Sequence, residues 1–129
     1  MSVRKHAAHA LGIAAEKQAA SYLQAKGYSI LGERIRTQGG EMDVVASLGD
    51  TLVIVEVKAR ANYASALESI TPAKQLKLTR AVEGLLADHE KMHGLDLSKT
   101  PNIRFDVVVV TPFGLHHMMD AWRPEYANI

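Results

Sequence analysis

The 129-residue sequence predicts an α/β protein: a mixed β-sheet with helices packed against it, in the order α-β-β-β-α-β-β. Three features carry that expectation. An alanine-rich segment of helical periodicity opens the chain, two alternating apolar strands meet at Gly49-Asp50, and a second helical segment separates that hairpin from two further strand-like runs.

The first helix is expected from about Ala7 to Lys26. Leu11, Ile13, Ala15, Ala19, Tyr22 and Leu23 form its apolar positions and Gly27 ends it. A strand follows from Tyr28 to about Arg36, and then the hairpin. Residues 59–71 show no firm periodicity and read as a loop beside the hairpin's charged end. Thr71-Pro72 marks the next helix, with threonine as N-cap and proline at the first helical position; Leu76, Leu78, Val82, Leu85 and Leu86 carry it to about His93, before Gly94. Arg104 to Thr111 is a β-branched strand that ends at Pro112, and Leu115 to Trp122 reads as the last strand. No repeat or low-complexity segment interrupts this order.

Length and composition predict one domain over residues 1–129. Cysteine is absent, which excludes disulfides and thiolate metal sites, and no segment approaches the roughly 18 apolar residues of a membrane span. A soluble cytoplasmic protein with no membrane partner is the expectation. The net charge of +1 says little, but residues 1–80 hold 11 Lys and Arg against 7 Asp and Glu, whereas residues 81–129 hold 4 against 7. The basic part contains the hairpin, which weakly favours a phosphate-binding face.

The hairpin carries the chemistry. Val53, Val55 and Val57 share one strand face, while Ile54, Glu56, Lys58 and Arg60 share the other. The preceding strand alternates in the same sense, with Met42, Val44 and Ala46 on one face and Glu41, Asp43 and Val45 on the opposite one. A two-residue turn at Gly49-Asp50 pairs Leu48 with Thr51; carried along the ladder, that register sets Asp43 opposite Glu56 and Glu41 opposite Lys58. Two opposed carboxylates destabilise a ladder unless something neutralises them, and a hard divalent cation would do so. The expected chemistry is phosphodiester hydrolysis. Asp43 and Glu56 would hold Mg²⁺ or Mn²⁺, and Lys58 would orient water or stabilise transition-state charge. Each charge alone is better explained by a surface hairpin with a Glu41–Lys58 ion pair and Asp43 accepting backbone hydrogen bonds; the three together favour the metal site.

Glu16 stands at helical spacing from Gly12, Ala19, Ala20 and Leu23, either as a third carboxylate of the site or as an acid at the edge of an amphipathic helix. Lys74, Lys77 and Arg80 form a basic stripe from the first turn of the second long helix, where free amides suit phosphate; a solvated face is the default for Lys77 and Arg80. Asp106 is expected to pair with Arg104. His116 and His117, adjacent on a strand, point to opposite faces. His89-Glu90-Lys91-Met92-His93 fits the H-E-x-x-H pattern of zinc hydrolases, with His89 and His93 as ligands. Lys91 inside the pattern, Gly94 directly after it and the lack of a third ligand motif count against it.

From Gly12-Ile13-Ala14-Ala15-Glu16 through Gly40-Glu41-Met42-Asp43 and Val55-Glu56-Val57-Lys58 to Arg104-Phe105-Asp106-Val107-Val108, the chain resembles the YraN family of small bacterial proteins. That family lies in the restriction-endonuclease-like superfamily, with the PD-(D/E)xK nucleases and the archaeal Holliday-junction resolvases. The resemblance implies a restriction-endonuclease-like fold, a central mixed sheet flanked by helices. It puts Asp43, Glu56 and Lys58 at the nuclease positions, Glu16 at the first-helix acid of the resolvases and Lys74 at the family's lysine after the loop. Ala15, Ile35 and Ala59 depart from the family pattern, and none is a proposed ligand.

The leading expectation is a divalent-metal-dependent endonuclease or nuclease-like protein acting on nucleic acid, DNA before RNA, with branched or structured DNA as the substrate class. Asp43, Glu56 and Glu16 would serve the metal, Lys58 the attacking water and phosphate, and Lys74, Arg36 and Arg60 the nucleic-acid backbone. A resolvase that cuts two strands would call for a homodimer, although no segment declares an interface. The alternatives are a non-catalytic nucleic-acid-binding module of the same fold and the zinc hydrolase.

Overall fold

The computed structural model describes residues 3–88 and 102–124. Its elements are α1 (Val3–Ala25), β1 (Ser29–Thr37), β2 (Gly40–Leu48), β3 (Thr51–Ala59), α2 (Tyr63–Glu68), α3 (Pro72–Ala87), β4 (Asn102–Thr111) and β5 (Gly114–Trp122). The five strands form one mixed sheet in the order β1-β2-β3-β4-β5, with β3 and β4 parallel and every other pair antiparallel. Helices cover both faces. This is the α/β architecture expected of a restriction-endonuclease-like protein.

β3 is central and parallel to a neighbour, so it is buried on both sides and reads as a nearly unbroken apolar run from Leu52 to Val57. On one face Ala15, Ala19 and Leu23 of α1 pack on Val44, Ala46, Val53, Val55, Val57 and Val108. The small alanines let the helix approach closely. On the other face Leu78, Ala81, Val82 and Leu85 of α3 pack on Met42, Val45, Leu52, Ile54 and Phe105. α2 adds Ala66 over Val107 and Val109.

Three differences from the sequence reading go beyond one or two residues at an element end. α1 begins at Val3, upstream of Ala7. Within the expected loop, Asn62 caps a six-residue helix by accepting the Ser65 amide at 2.8 Å; the helix is too short to show periodicity. α3 stops at Ala87, short of His93, because Asp88 leaves helical geometry, and an acid at the negative end of a helix is unfavourable. Thr71 and Pro72 start α3 as expected, the threonine hydroxyl accepting the Lys74 amide at 3.2 Å.

The β1–β2 turn clasps α3. Thr37 donates its hydroxyl hydrogen to the Ala81 carbonyl at 2.9 Å, a Cβ on Gly84 would collide with Thr37, and one on Gly39 would collide with the Arg80 backbone. Glycine at both positions lets the turn and the helix touch.

Asp106 pairs with Arg104, as expected, and is fully buried on the α1 face of β4. It accepts both Arg104 Nε and Nη2 at 2.8 Å, the Asp120 amide at 3.0 Å, and lies 2.7 Å from His117 Nε2. Burial opposes its ionisation, but these hydrogen bonds outweigh burial and hold the carboxyl below its ordinary range. His116 packs at a tilt against Tyr63 while His117 meets Asp106 and Tyr22, so the two histidines point to opposite faces as the strand period requires. Asp106→Ala would leave the Arg104 charge, the His117 ring and the Asp120 amide without their acceptor. A loss of about 3–5 kcal/mol is expected, read as a lower urea midpoint in equilibrium unfolding.

Candidate active site

The β2–β3 ladder holds the expected register from Leu48↔Thr51 to Val44↔Val55, with Gly49 in the left-handed conformation (φ 60°) that its turn requires. There the paired ladder stops. Asp43 does not face Glu56 as a ladder pair; its Oδ2 instead accepts the Val57 amide at 2.9 Å, so a side chain substitutes for a backbone acceptor where the strands part. The alternation of β2 breaks at the same point. Met42 packs with Val45 in the α3-side cluster rather than sharing a face with Val44 and Ala46. A second correction follows from this geometry: Glu41 pairs with Arg36 at 3.2 Å and Arg34 at 3.8 Å, not with Lys58.

Glu56 is buried at 3% exposure on the end of β3 next to α3. Its Oε1 receives two ammonium groups, Lys58 Nζ and Lys74 Nζ, each at 3.3 Å. The first comes from two residues along the same strand and the second from the opening turn of α3, so two elements, β3 and α3, converge on one oxygen. Lys77 and Arg80 are exposed on α3, the solvated face expected of them. Arg36 and Arg60 lie exposed at this end of the sheet, the first paired to Glu41 and the second donating to the Ala59 carbonyl at 2.9 Å.

Glu16 reaches the site from α1. Its Oε2 is buried without a hydrogen bond, and its nearest cationic partner is Arg34 Nε at 3.7 Å. Burial raises its pKa, the charge on Asp43 raises it further, and Arg34 works against both. Arg34 links Glu16 to Glu41 and was not singled out from sequence. It adopts a left-handed backbone (φ 53°) inside β1, a local conformation that no alternation pattern reveals.

Asp43 is the most perturbed of these acids. Burial first and the Glu56 charge second push its pKa from 3.8 up to about 6, against the opposing Val57 hydrogen bond and the two lysine charges. The donor set therefore offers two carboxylates that repel one another in a poorly hydrated setting, with a third close by. Hard divalent cations bind one or two carboxylates together with waters and phosphate, so this chemistry fits Mg²⁺ or Mn²⁺. Among the described residues no group of three or more His, Cys, Asp and Glu side chains forms a set that could hold an ion unaided. His89 and His93, the zinc ligands of the alternative reading, lie outside the described residues.

A five-stranded mixed sheet flanked by helices is the architecture of the restriction-endonuclease-like fold class. The family comparison is more specific: the model of the "Uncharacterised protein family UPF0102" matches residues 15–110, and the chain belongs to this family, also called YraN. It is similar to the UPF0102 protein of Maricaulis maris, at 42% identity over 96% of this chain and 94% of the relative. It is also similar to the UPF0102 proteins of Parvibaculum lavamentivorans (41%, covering 92% and 85%) and Bradyrhizobium diazoefficiens (40%, covering 94% and 87%). No helix among the described residues is long and apolar enough to cross a membrane.

The raised pKa of Asp43 has a thermodynamic consequence. The native state holds this proton more tightly than the unfolded chain, so the associated stability is complete below about pH 3.8 and is lost as pH rises through about 6. Asp43→Asn keeps an oxygen for the Val57 amide and removes the charge. It should stabilise the metal-free protein by about 1–3 kcal/mol at pH 8, with the gain shrinking towards pH 4, measured by urea unfolding in EDTA.

Proposed function

We propose that this protein is a divalent-metal-dependent endonuclease that hydrolyses phosphodiester bonds in DNA, with branched or structured DNA as its substrate class. The observation that carries the reading is the meeting of Asp43, Glu56, Lys58 and Lys74 where β2 leaves β3. Two crowded acids, one with its pKa raised by burial and then by the other's charge, suit a cation; two lysines beside them suit a phosphate. The family resemblance at Asp43, Glu56 and Lys58 supports the same roles, and the preference for DNA rests on that resemblance alone.

Asp43 and Glu56 would hold Mg²⁺ or Mn²⁺, with Glu16 close to them. Such an ion supplies Lewis-acid polarisation of the phosphoryl oxygen and neutralises the acid pair. Lys58 stays beside Glu56, where its ammonium can donate to the attacking water or to the phosphoryl oxygen that gains charge. Lys74 contacts the neighbouring phosphate, and Arg36 and Arg60 extend the basic rim. Hydrolysis adds water across the P–O bond, leaving a phosphate monoester on one end and a hydroxyl on the other.

The commitment of both lysines to one oxygen of Glu56 favours a second reading, in which the same face binds nucleic acid without cutting it. Labelled linear duplex, single strand, flap and four-way junction DNAs, incubated with Mg²⁺ or Mn²⁺, separate the two. The nuclease reading expects metal-dependent cutting that EDTA stops, Asp43→Asn abolishes and Lys58→Ala lowers by about 10²–10³-fold. Cutting that survives Asp43→Asn in protein free of other nucleases would sink the site assignment. Salt-sensitive binding with no cutting in either metal would select the binding module.

A further inference from the structure

α1 is longer than the sheet it packs on. Residues 3–11 are all exposed, with Val3 at 87% and Leu11 at 58%, and the first buried residue of the helix is Ala15. At about 1.5 Å per residue, these nine residues add about 13 Å of helix that is exposed throughout. Isolated helices of that length are marginal in water, and even an alanine-rich one gains from a surface to lie on.

The direction of the overhang follows from topology. α1 ends at Ala25, just before β1 begins opposite the end of β2, and Glu16 lies 3.7 Å from Arg34, late in β1. The helix therefore passes Glu16 and the candidate site before its remaining turns leave the sheet, at the end where β3 and β4 finish. Lys5, His9, Gly12 and Glu16 are spaced by four, three and four residues, so they share the face that lower down buries Ala19 and Leu23. A Cβ at Gly12 would meet nothing, which leaves open space between the arm and the site. Arg4, Lys5, His6 and His9 lie in this overhang, and residues 3–15 include no acid. The charge complements a polyanion.

We propose that residues 3–11 form a nucleic-acid-docking arm, in which Arg4, Lys5 and His9 hold the phosphates of a duplex segment that runs on from the site. The inference rests on the proposed function and extends it. From Glu16 to Val3 the helix spans about 20 Å, which matches about six base pairs at 3.4 Å each. Lys5 and His9 face the side on which the site lies, so the arm grips the strand being presented to Asp43 and Glu56 and sets its position. Arginine and lysine there neutralise phosphate without reading sequence.

The test uses the full chain and two labelled probes, a linear duplex and a four-way junction, with binding measured across a salt series in Ca²⁺ and cutting measured in Mg²⁺. Arg4→Gln/Lys5→Gln is compared with wild type and with Lys26→Gln at the far end of the helix. Removing two phosphate contacts should lower the slope of log affinity against log salt by about 1–2 and weaken binding about ten-fold, with Lys26→Gln unchanged. Circular dichroism and an unchanged urea midpoint would show that the variant is folded. If wild type binds and cuts while the double variant matches it in slope and affinity, the arm is overturned and the site reading stands. If wild type binds neither probe, both fall. A dimer of wild type that the double variant loses, with DNA affinity unchanged, would assign the arm to a second copy of the chain and overturn its role in docking nucleic acid.

Discussion

The parting of β2 from β3 after Val44 and Val55 is the constraint on which the candidate site depends. Beyond that pair the Val57 amide needs a new acceptor, and a buried donor left without one costs about 1–3 kcal/mol. Asp43 supplies it at 2.9 Å, which anchors the carboxylate inside the divided hairpin and brings its charge against Glu56. The same break turns Met42 into the α3-side core, so the local distortion is held by packing as well as by a hydrogen bond.

Two aspartates of this sheet, Asp106 buried and Asp43 half-buried, have opposite fates. Asp106 is surrounded by donors from Arg104, His117 and the Asp120 backbone, which hold its carboxyl ionised and leave it no capacity for a ligand. Asp43 accepts one amide and faces a second acid, so its charge is only partly compensated. The first arrangement ties β5 to β4. The second stores an electrostatic cost that a cation would relieve, and a site of this kind is where function is expected to lie.

The lysines depend on a different part of the fold. Lys58 follows from strand period, but Lys74 reaches Glu56 only because α3 starts at Thr71-Pro72 and is pressed onto the sheet by its apolar face. The glycine contacts at Gly39 and Gly84 let the β1–β2 turn close on that helix. Residues remote from the acids thus fix where the second cation stands.

The strand alternation, the Gly49-Asp50 turn, the Thr71 cap and the alanine face of α1 determined the fold class and most elements by local physics alone, and they placed Glu56 and Lys58 together. The hairpin pattern also singled out Asp43, and the family motifs strengthened the case for Glu16 and Lys74 beyond what helical spacing alone carried. Local pattern could not show that Asp43 leaves the ladder, that Glu41 turns to Arg34 and Arg36, or that Asn62 caps a short α2. Each of these depends on what lies across the sheet. Tertiary structure decided them because hydrogen-bond satisfaction and charge compensation join residues far apart in sequence, and a periodic pattern carries no record of such partners.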